Sequence, residues 1–476
     1  VDKTKRDTQR WYTAIVNEYY VNGKTMSTSE FANLKYALVS SGRFKQRIRK
    51  SALRHFSYWF KIQNIRLRAF YVSFLVYSRY PQHLRNKGIR VLMVTGVYHP
   101  EVSGAASQCR QLVKALREKV CFTVLTTTRN SNLPSRSQVD AVDVSRVLLR
   151  RGKSRSYCNT ILKLTTFFLP RRKDIQIVHL HGFSLKSAFL MALSRMFQKK
   201  VLIKMTSTGH DDPVAMRKRG FLLNYFFSKA DAYVGMSPLF ERLYSQSQLP
   251  LDRLKQIPNG VEIDRFHPIT AEKKKTLRDQ LGLPREMKSI LFVGHFSREK
   301  CPDILLEAWK QSVAETFSDT GLIFVGSTDP YHYEVDAELV RDIRHLAEPY
   351  LDERIFFFER THEIEKVYQA ADFFVFPSLR EGMPNALLEA MSSGLPVIVS
   401  KLEGVTDWIV TDGIDGLLVQ PGDGDDLGRA IKGILGDDVL ADSLGREARR
   451  TVLERFSMKK VAEQYRELYK EVIPST

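Results

Sequence analysis

The most constraining feature of the chain is a pattern of short apolar strands alternating with helical segments, which runs through residues 89–270 and then starts again. Strands buried on both faces form continuous apolar runs, and parallel neighbours need a helical crossover between them. The pattern therefore predicts an α/β fold with two tandem, doubly wound, Rossmann-like domains. Because such sheets bind ligands at the carboxyl ends of their strands, two of them predict a ligand cleft. The strand-like runs are 89–94, 121–125, 175–180, 201–205, 232–234, 289–293, 322–325, 355–358, 373–376 and 397–399.

The full length of 476 residues is too long for one ordinary core and predicts several domains. We expect a basic, aromatic, mainly helical extension at 1–88, an N-terminal Rossmann-like domain at 89–270, a C-terminal one at 271–456, and a last helix at 457–476 that packs back on the N-terminal domain. The Ser- and Arg-rich residues 130–157 predict a surface excursion, and residues 270–278 predict a charged connector.

The net charge of +20 is concentrated at the start of the chain, where residues 1–90 contain 19 Lys or Arg and four Asp or Glu. Cations interleaved with aromatic residues fit a helical hairpin packed on the body, and they fit equally well a helix pair on an anionic membrane surface. Nucleic acid is a weaker candidate partner because no recognisable binding module accompanies the charge.

Several classes of protein are disfavoured by the rest of the composition. No apolar run approaches the length that spans a bilayer, and residues 1–20 lack the apolar core of a secretory signal. The four cysteines are scattered without a C-x-x-C pair, which disfavours a disulfide scaffold or a cysteine-based zinc site. We therefore expect a cytoplasmic protein, with the inner face of the membrane as a possible peripheral location.

The most specific segment is 377–397, where a strand, a loop and a helix follow one another. Pro384 stands where a helix would begin, so the free backbone N–H groups of the first turn point into the loop. Together with the helix dipole they suit a diphosphate. Glu381 lies in the loop, and Glu389 lies near the second turn, where it can accept hydrogen bonds from sugar hydroxyls.

This segment resembles the E-x7-E signature of the retaining glycosyltransferases of family 4, which have the two-domain GT-B fold. Residues 257–266 (IPNGVEIDRF), 230–237 (ADAYVGMS) and 293–302 (VGHFSREKCP) are similar to other segments of that family, in the family's order. The resemblance covers about residues 89–472.

The resemblance implies a nucleotide-sugar donor site in the C-terminal domain. Lys300 would supply a cation for the donor diphosphate, Glu381 would hold the donor sugar, and Arg298 would replace the arginine that the family usually has where this chain has His295. The implied donor-binding residues are Gly104, His295, Met383, Pro384, Asn385, Ala386, Glu389 and, near the base, Thr361.

The resemblance also implies an acceptor side in the N-terminal domain. His181, at the end of a strand, matches the family's histidine near the reacting sugar, so it joins Lys300, Arg298 and Glu381 as a candidate catalytic residue. Thr206 and His210 follow the next strand and are candidate acceptor-binding residues.

The implied reaction is transfer of a sugar from a UDP- or GDP-linked donor to a glycan or lipid-linked glycan, with retention of configuration. The departing diphosphate would act as base toward the acceptor, and no metal or further cofactor is expected. Two alternatives remain open: a nucleotide-sugar epimerase on the same fold, and a non-catalytic, basic lipid- or nucleic-acid-binding protein with a GT-B body.

Overall fold

The computed structural model describes residues 88–149, 154–328, 335–359, 361 and 363–473, with the backbone alone at 154–158. The predicted helical extension at 1–88 lies outside these residues except for Gly88. The described residues all belong to one compact unit. No helix within the described ranges is long and apolar enough to cross a membrane.

The first sheet has eight strands in the order β3-β4-β2-β1-β5-β6-β7-β8, and every neighbouring pair is parallel except β3 and β4. Its strands are β1 (Ile89–Thr95), β2 (Val120–Thr128), β3 (Arg136–Val139), β4 (Val142–Leu148), β5 (Ile177–His181), β6 (Lys200–Lys204), β7 (Ala232–Gly235) and β8 (Leu254–Gln256). Its helices are α1 (Gly104–Leu116), α2 (Ser154–Arg171), α3 (Leu185–Met196), α4 (Pro213–Lys218), α5 (Phe221–Phe227) and α6 (Pro238–Ser245).

The second sheet has six parallel strands in the order β11-β10-β9-β12-β13-β14. Its strands are β9 (Lys288–Val293), β10 (Thr320–Val325), β11 (Ile355–Phe358), β12 (Phe373–Phe376), β13 (Val397–Ser400) and β14 (Leu417–Val419). The helices of this part are α7 (Ala271–Leu281), α8 (Pro302–Ser312), α9 (Ala337–Ala347), α10 (Ile364–Ala370), α11 (Asn385–Ser392), α12 (Thr406–Ile409), α13 (Gly424–Leu435), α14 (Asp438–Arg455) and α15 (Met458–Val472). The predicted pair of α/β domains is confirmed.

Two local predictions are wrong. The expected surface excursion at 130–157 contains β3 and β4, which form one edge of the first sheet. The polar residues of β3 hid this strand, because an edge strand exposes one face and needs no continuous apolar run. The expected connector at 270–278 is the start of α7, a helix whose only buried residues are Leu277 and Arg278 and which is therefore charged almost all round.

The last helix returns to the first sheet. Val461, Tyr465 and Tyr469 of α15 are buried in the same core as Val91 of β1 and Leu112 of α1. The main chain enters α15 beside the segment that closes the first domain, where Met458 N donates to Val261 O at 2.8 Å. The end of the chain thereby covers the face of β5 that carries its histidine pair, described below.

Candidate functional site

An ion pair between two of the predicted catalytic residues joins the loop after β9, which carries Lys300, to the loop after β12, which carries Glu381. Lys300 Nζ contacts Glu381 Oε1, and both side chains are largely shielded from solvent. Ser378 Oγ donates to the same Glu381 oxygen at 2.8 Å. Lys300 Nζ also lies 5.4 Å from the centroid of the Phe376 ring. The ammonium group is therefore held at the carboxyl ends of β9 and β12, where parallel sheets bind their ligands.

Arg298, the other cation of the loop after β9, has a different partner. Arg298 Nε donates to Asp336 Oδ2 at 3.1 Å, and Asp336 is the residue that caps α9. The N–H of Leu339 and the Arg298 guanidinium both lower the pKa of Asp336. The structure thus pairs Arg298 with the start of α9 rather than with Glu381. His295, at the beginning of the loop, is half-buried.

Glu389 lies in the second turn of α11, as predicted, against a buried tyrosine. Tyr368 Oη donates to Glu389 Oε2 at 3.1 Å and lies 3.2 Å from the carbonyl oxygen of Ala386. Burial raises the pKa of Glu389 to about 7, while the Tyr368 hydrogen bond and the charge of Arg265 oppose the rise. This carboxyl group therefore changes charge near neutral pH.

The N-terminus of α11 meets the first domain through side-chain amides. Pro384 precedes the helix, which begins at Asn385. Asn385 Nδ2 donates to Gly104 O at 3.2 Å, and Asn385 Oδ1 accepts from Gln108 at 3.1 Å and from Asn259 Nδ2 at 2.9 Å. The predicted donor-site residues Gly104 and Asn385 are thereby brought together.

Asn259 is the centre of this junction. Its Nδ2 also lies 3.2 Å from the carbonyl oxygen of Met383, its backbone N lies 3.0 Å from Met383 Sδ, and its Oδ1 accepts from Lys204 Nζ at 2.8 Å. Asn259 belongs to the segment 257–266 that resembles the family, but no role was predicted for it. Its position between two turn-forming residues, Pro258 and Gly260, was the available signal, whereas Gln108 carried none.

His181 lies at the end of β5 in a buried polar cluster. Its ring centroid is 4.4 Å from that of His179, whose Nδ1 is 2.8 Å from Tyr469 Oη of α15. Burial lowers the pKa of His181 well below its usual value, and His179 and Lys204 add to the effect. His181 is therefore neutral at pH 7. Neither of its ring nitrogens has a hydrogen-bond partner in the described part of the chain.

Lys204 is opposite His181 in the β5–β6 register and is 3% exposed. Burial lowers its pKa to about 7. Lys204 was not among the predicted site residues. The signal was a lysine closing an otherwise apolar strand, at the edge of the sheet where the site was expected.

The candidate acceptor residues lie in the loop after β6. Asp211 accepts hydrogen bonds from the backbone N and Oγ1 of Thr206 and from the N of Ser207, at 2.7–3.0 Å, so the Thr206 hydroxyl is engaged within the loop. His210 Nδ1 is 2.9 Å from Arg219 Nη2. The same loop reaches the other domain, because Arg380 Nη1 donates to Thr208 O at 3.2 Å.

Thr361 has a local contact, in which its hydroxyl accepts from Glu363 N at 3.1 Å. Within the described ranges no group of three His, Cys, Asp or Glu side chains is placed to hold a metal ion. What the site does offer is a cation, two carboxyl groups, a helix N-terminus and a neutral imidazole. This set suits a sugar joined to a diphosphate.

Two family models match the chain, one for each sheet domain. Residues 103–260 match a glycosyl transferase 4-like domain, and residues 287–437 match the glycosyl transferases of group 1. Together the two matches cover more than half of the chain.

Individual proteins agree with these models. The chain is 31% identical over 225 residues to an Escherichia coli UDP-Gal:alpha-D-GlcNAc-diphosphoundecaprenol alpha-1,3-galactosyltransferase, a match that covers 46% of this chain and 55% of that protein. It is 25% identical over 398 residues to an uncharacterised glycosyltransferase of Methanocaldococcus jannaschii, covering 80% of this chain and 98% of the other.

The structural comparison extends over both domains. The sucrose-phosphate synthase of Thermosynechococcus elongatus superposes with a TM-score of 0.68 at 24% sequence identity, covering 81% of this chain and 99% of the other. At this identity the likeness shows the fold. The segments around Glu381 and Glu389, the two family models and the shared two-sheet fold agree, and the chain belongs to the GT-B glycosyltransferases of family 4.

Proposed function

We propose that the protein transfers a sugar from a nucleotide-sugar donor to an acceptor hydroxyl, with retention of configuration and without a metal. The observation that carries the proposal is the Lys300–Glu381 ion pair, in which Glu381 belongs to the loop that leads into the N-terminus of α11. The half-buried ammonium group of Lys300 and the N–H groups of the first turn of α11 suit the diphosphate of a leaving nucleotide.

Each donor-side residue has a separate role in this proposal. Lys300 and the first turn of α11 stabilise the charge that develops on the departing diphosphate. Glu381 holds the donor sugar, and Glu389 accepts from the ribose. Met383, Pro384, Asn385 and Ala386 line the phosphate and sugar. The donor side is completed by Arg298, by His295 and, near the base, by Thr361. In this proposal Arg298 leaves Asp336 when the nucleotide binds.

The acceptor side is formed by residues 89–270 and the donor side by residues 271–456. His181 is neutral because it is buried, and a neutral imidazole without a hydrogen-bond partner among the described residues can donate to a sugar hydroxyl. The departing diphosphate takes the proton of the acceptor hydroxyl, so the new bond forms on the same face of the donor sugar. Thr206 and His210 flank the acceptor.

The acceptor class follows from charge and from one relative. The Escherichia coli relative is named for an acceptor joined to diphosphoundecaprenol, a lipid. The basic, aromatic residues 1–88 suit an anionic membrane surface. We infer a lipid-linked glycan acceptor and peripheral binding at the cytoplasmic face of the membrane.

Thermal stability with a panel of UDP- and GDP-sugars tests the donor assignment, because a ligand at 100 times its Kd adds about 2.7 kcal/mol of stability. Lys300→Ala should abolish the shift and lower turnover more than tenfold. Lys288→Ala is the matched control, since Lys288 is another ion-paired lysine of the same domain, 2.7 Å from Asp438. Equal turnover of the two variants would contradict the proposal.

An assay without acceptor distinguishes a glycosyltransferase from a nucleotide-sugar epimerase. A nucleotide-sugar epimerase converts the donor alone, whereas a transferase consumes it at most slowly by hydrolysis. A protein that binds no nucleotide sugar but retains lipid or nucleic acid binding would support the non-catalytic alternative.

A further inference from the structure

An uninterrupted run of exposed residues joins α4 to α5. All six residues from Arg217 to Leu222 are exposed. Phe221 is 83% exposed, the highest value among the large hydrophobic side chains in the described part of the chain. With Tyr225 and Lys229 of the following turns, Arg217, Lys218, Arg219, Phe221 and Leu222 form what we call the basic aromatic face.

The basic aromatic face is anchored to the domain by buried aromatic residues. Phe227, the last residue of α5, is buried, and its ring centroid lies 5.2 Å from those of Phe183 and Tyr233. On the outer side the rings of Phe221 and Tyr225 stack at 6.1 Å. Lys229 Nζ lies 4.9 Å from the centroid of the Tyr225 ring. The exposed apolar groups are thus presented by a packed helix.

The charge of the face has one sign. Residues 213–229 contain Arg217, Lys218, Arg219 and Lys229 and no Asp or Glu. Apolar tips surrounded by cations suit an anionic bilayer, which accepts aromatic and aliphatic side chains below its headgroups and attracts the cations.

Other occupants are disfavoured by the same charge. Residues 1–90 are strongly basic, with 19 Lys or Arg against four Asp or Glu, so they would be repelled. A second copy docking through this face would set four cations against four cations, because a two-fold contact places the same surface on both sides. We propose that the basic aromatic face binds anionic lipid bilayers.

The position of the face relates it to the acceptor. Arg219 Nη2 lies 2.9 Å from His210 Nδ1, in the loop whose Thr208 carbonyl accepts from Arg380 of the other domain. A bilayer bound at this face therefore lies beside the acceptor side of the cleft. This step rests on the proposed function, since it brings a lipid-linked acceptor to the site.

The test uses the full chain and sedimentation with vesicles of phosphatidylglycerol and phosphatidylcholine, or of phosphatidylcholine alone. Lys218→Ser combined with Phe221→Ser should lower the partition coefficient on anionic vesicles roughly tenfold, because one cation near such a surface changes it about fivefold and the phenyl group adds to this. Lys432→Ser combined with Val439→Ser removes one exposed cation and one exposed apolar side chain from the other domain, and should leave the coefficient unchanged.

Hydrogen exchange of the unaltered chain locates the contact independently of any variant. Residues 217–229 should exchange more slowly on anionic vesicles and at the same rate with neutral ones. Sedimentation without protection of these residues, or equal partition of the two double variants, would overturn the proposal and would indicate binding through residues 1–88.

Nucleotide-sugar binding is measured separately, in the absence of vesicles. If the unaltered chain binds nucleotide sugar but does not bind anionic vesicles, this inference alone fails. Absence of nucleotide-sugar binding in the unaltered chain is a failure of the proposed function.

Discussion

Lys204 offers the sharpest test of the electrostatics of the site. Its ammonium group is 3% exposed, donates to Asn259 Oδ1 at 2.8 Å and has no carboxylate partner among the described residues. A buried cation without a counter-ion destabilises the folded state. We therefore expect Lys204→Met, which keeps a similar volume without the charge, to stabilise the protein.

The sign and size of the expected change in the free energy of unfolding follow from the pKa of Lys204. Burial lowers the pKa of Lys204 to about 7, whereas a lysine in the unfolded chain keeps its ordinary value near 10.4. The unfolded chain binds this proton more tightly, so below pH 7 the folded state is destabilised by about 5 kcal/mol. The penalty falls as the pH rises from 7 to about 10. Lys204→Met also removes the group that donates to Asn259 Oδ1, which costs about 1–3 kcal/mol at every pH. The net gain in the free energy of unfolding is therefore about 2–4 kcal/mol at pH 6.

Thermal unfolding at pH 6, 8 and 10 measures this difference. The midpoint of Lys204→Met should exceed that of the unaltered protein by about 2–5 °C at pH 6 and lose the advantage by about pH 9. Lys200→Met is the control, since Lys200 begins the same strand and pairs at the surface with Asp231. A shift of the same size at all three pH values, or a lower midpoint at pH 6, would refute the reasoning. Turnover should fall in Lys204→Met, because the costly charge is retained for the site.

Two further predictions concern the donor side. Burial raises the pKa of Glu389 to about 7, so the folded protein loses stability as the pH rises from about 4.5 to 7 and this carboxyl group must ionise. Glu389→Gln should therefore raise the thermal midpoint more at pH 8 than at pH 5, while turnover falls more than tenfold. Equal shifts of the midpoint at both pH values would contradict the burial argument. Activity should persist in excess EDTA, and a loss that manganese restores would show that a metal takes part.

The fold was largely predictable because its strands are buried on both faces. Runs such as residues 355–358 and 373–376 coincide with β11 and β12, since continuous β-branched and aromatic stretches have few other uses in an α/β chain. The polar edge strand β3 could not be found in this way, and its partner β4, in which polar residues interrupt the valines, was missed with it. There the pairing partner, and not the apolar pattern, decides the structure.

The candidate site was predictable to the extent that it is contiguous in sequence. Glu381, Asn385 and Glu389 share one loop and helix, so a local motif could identify them. Lys204 precedes Asn385 of that motif by 181 positions and Tyr368 precedes it by 17. Both residues join the site only because the two sheets bring their strand ends and helices together. Partners of this kind are set by topology, so the motif itself does not identify them.

The glycine after Glu381 shows how one segment serves both the chemistry and the junction of the two domains. A Cβ at Gly382 would lie 3.2 Å from the ring of Phe240 in α6, closer than side chains ordinarily approach. Ser237 Oγ donates to the carbonyl oxygen of Gly382 at 3.0 Å across the same junction. Glu381 and Gly382 are adjacent, so the contact of Gly382 with the first domain also fixes the backbone position of Glu381. The carboxylate of Glu381 is the one that pairs with Lys300. The position of Glu381 is thus constrained twice, by its ion pair with Lys300 and by the close approach of the adjacent backbone to Phe240.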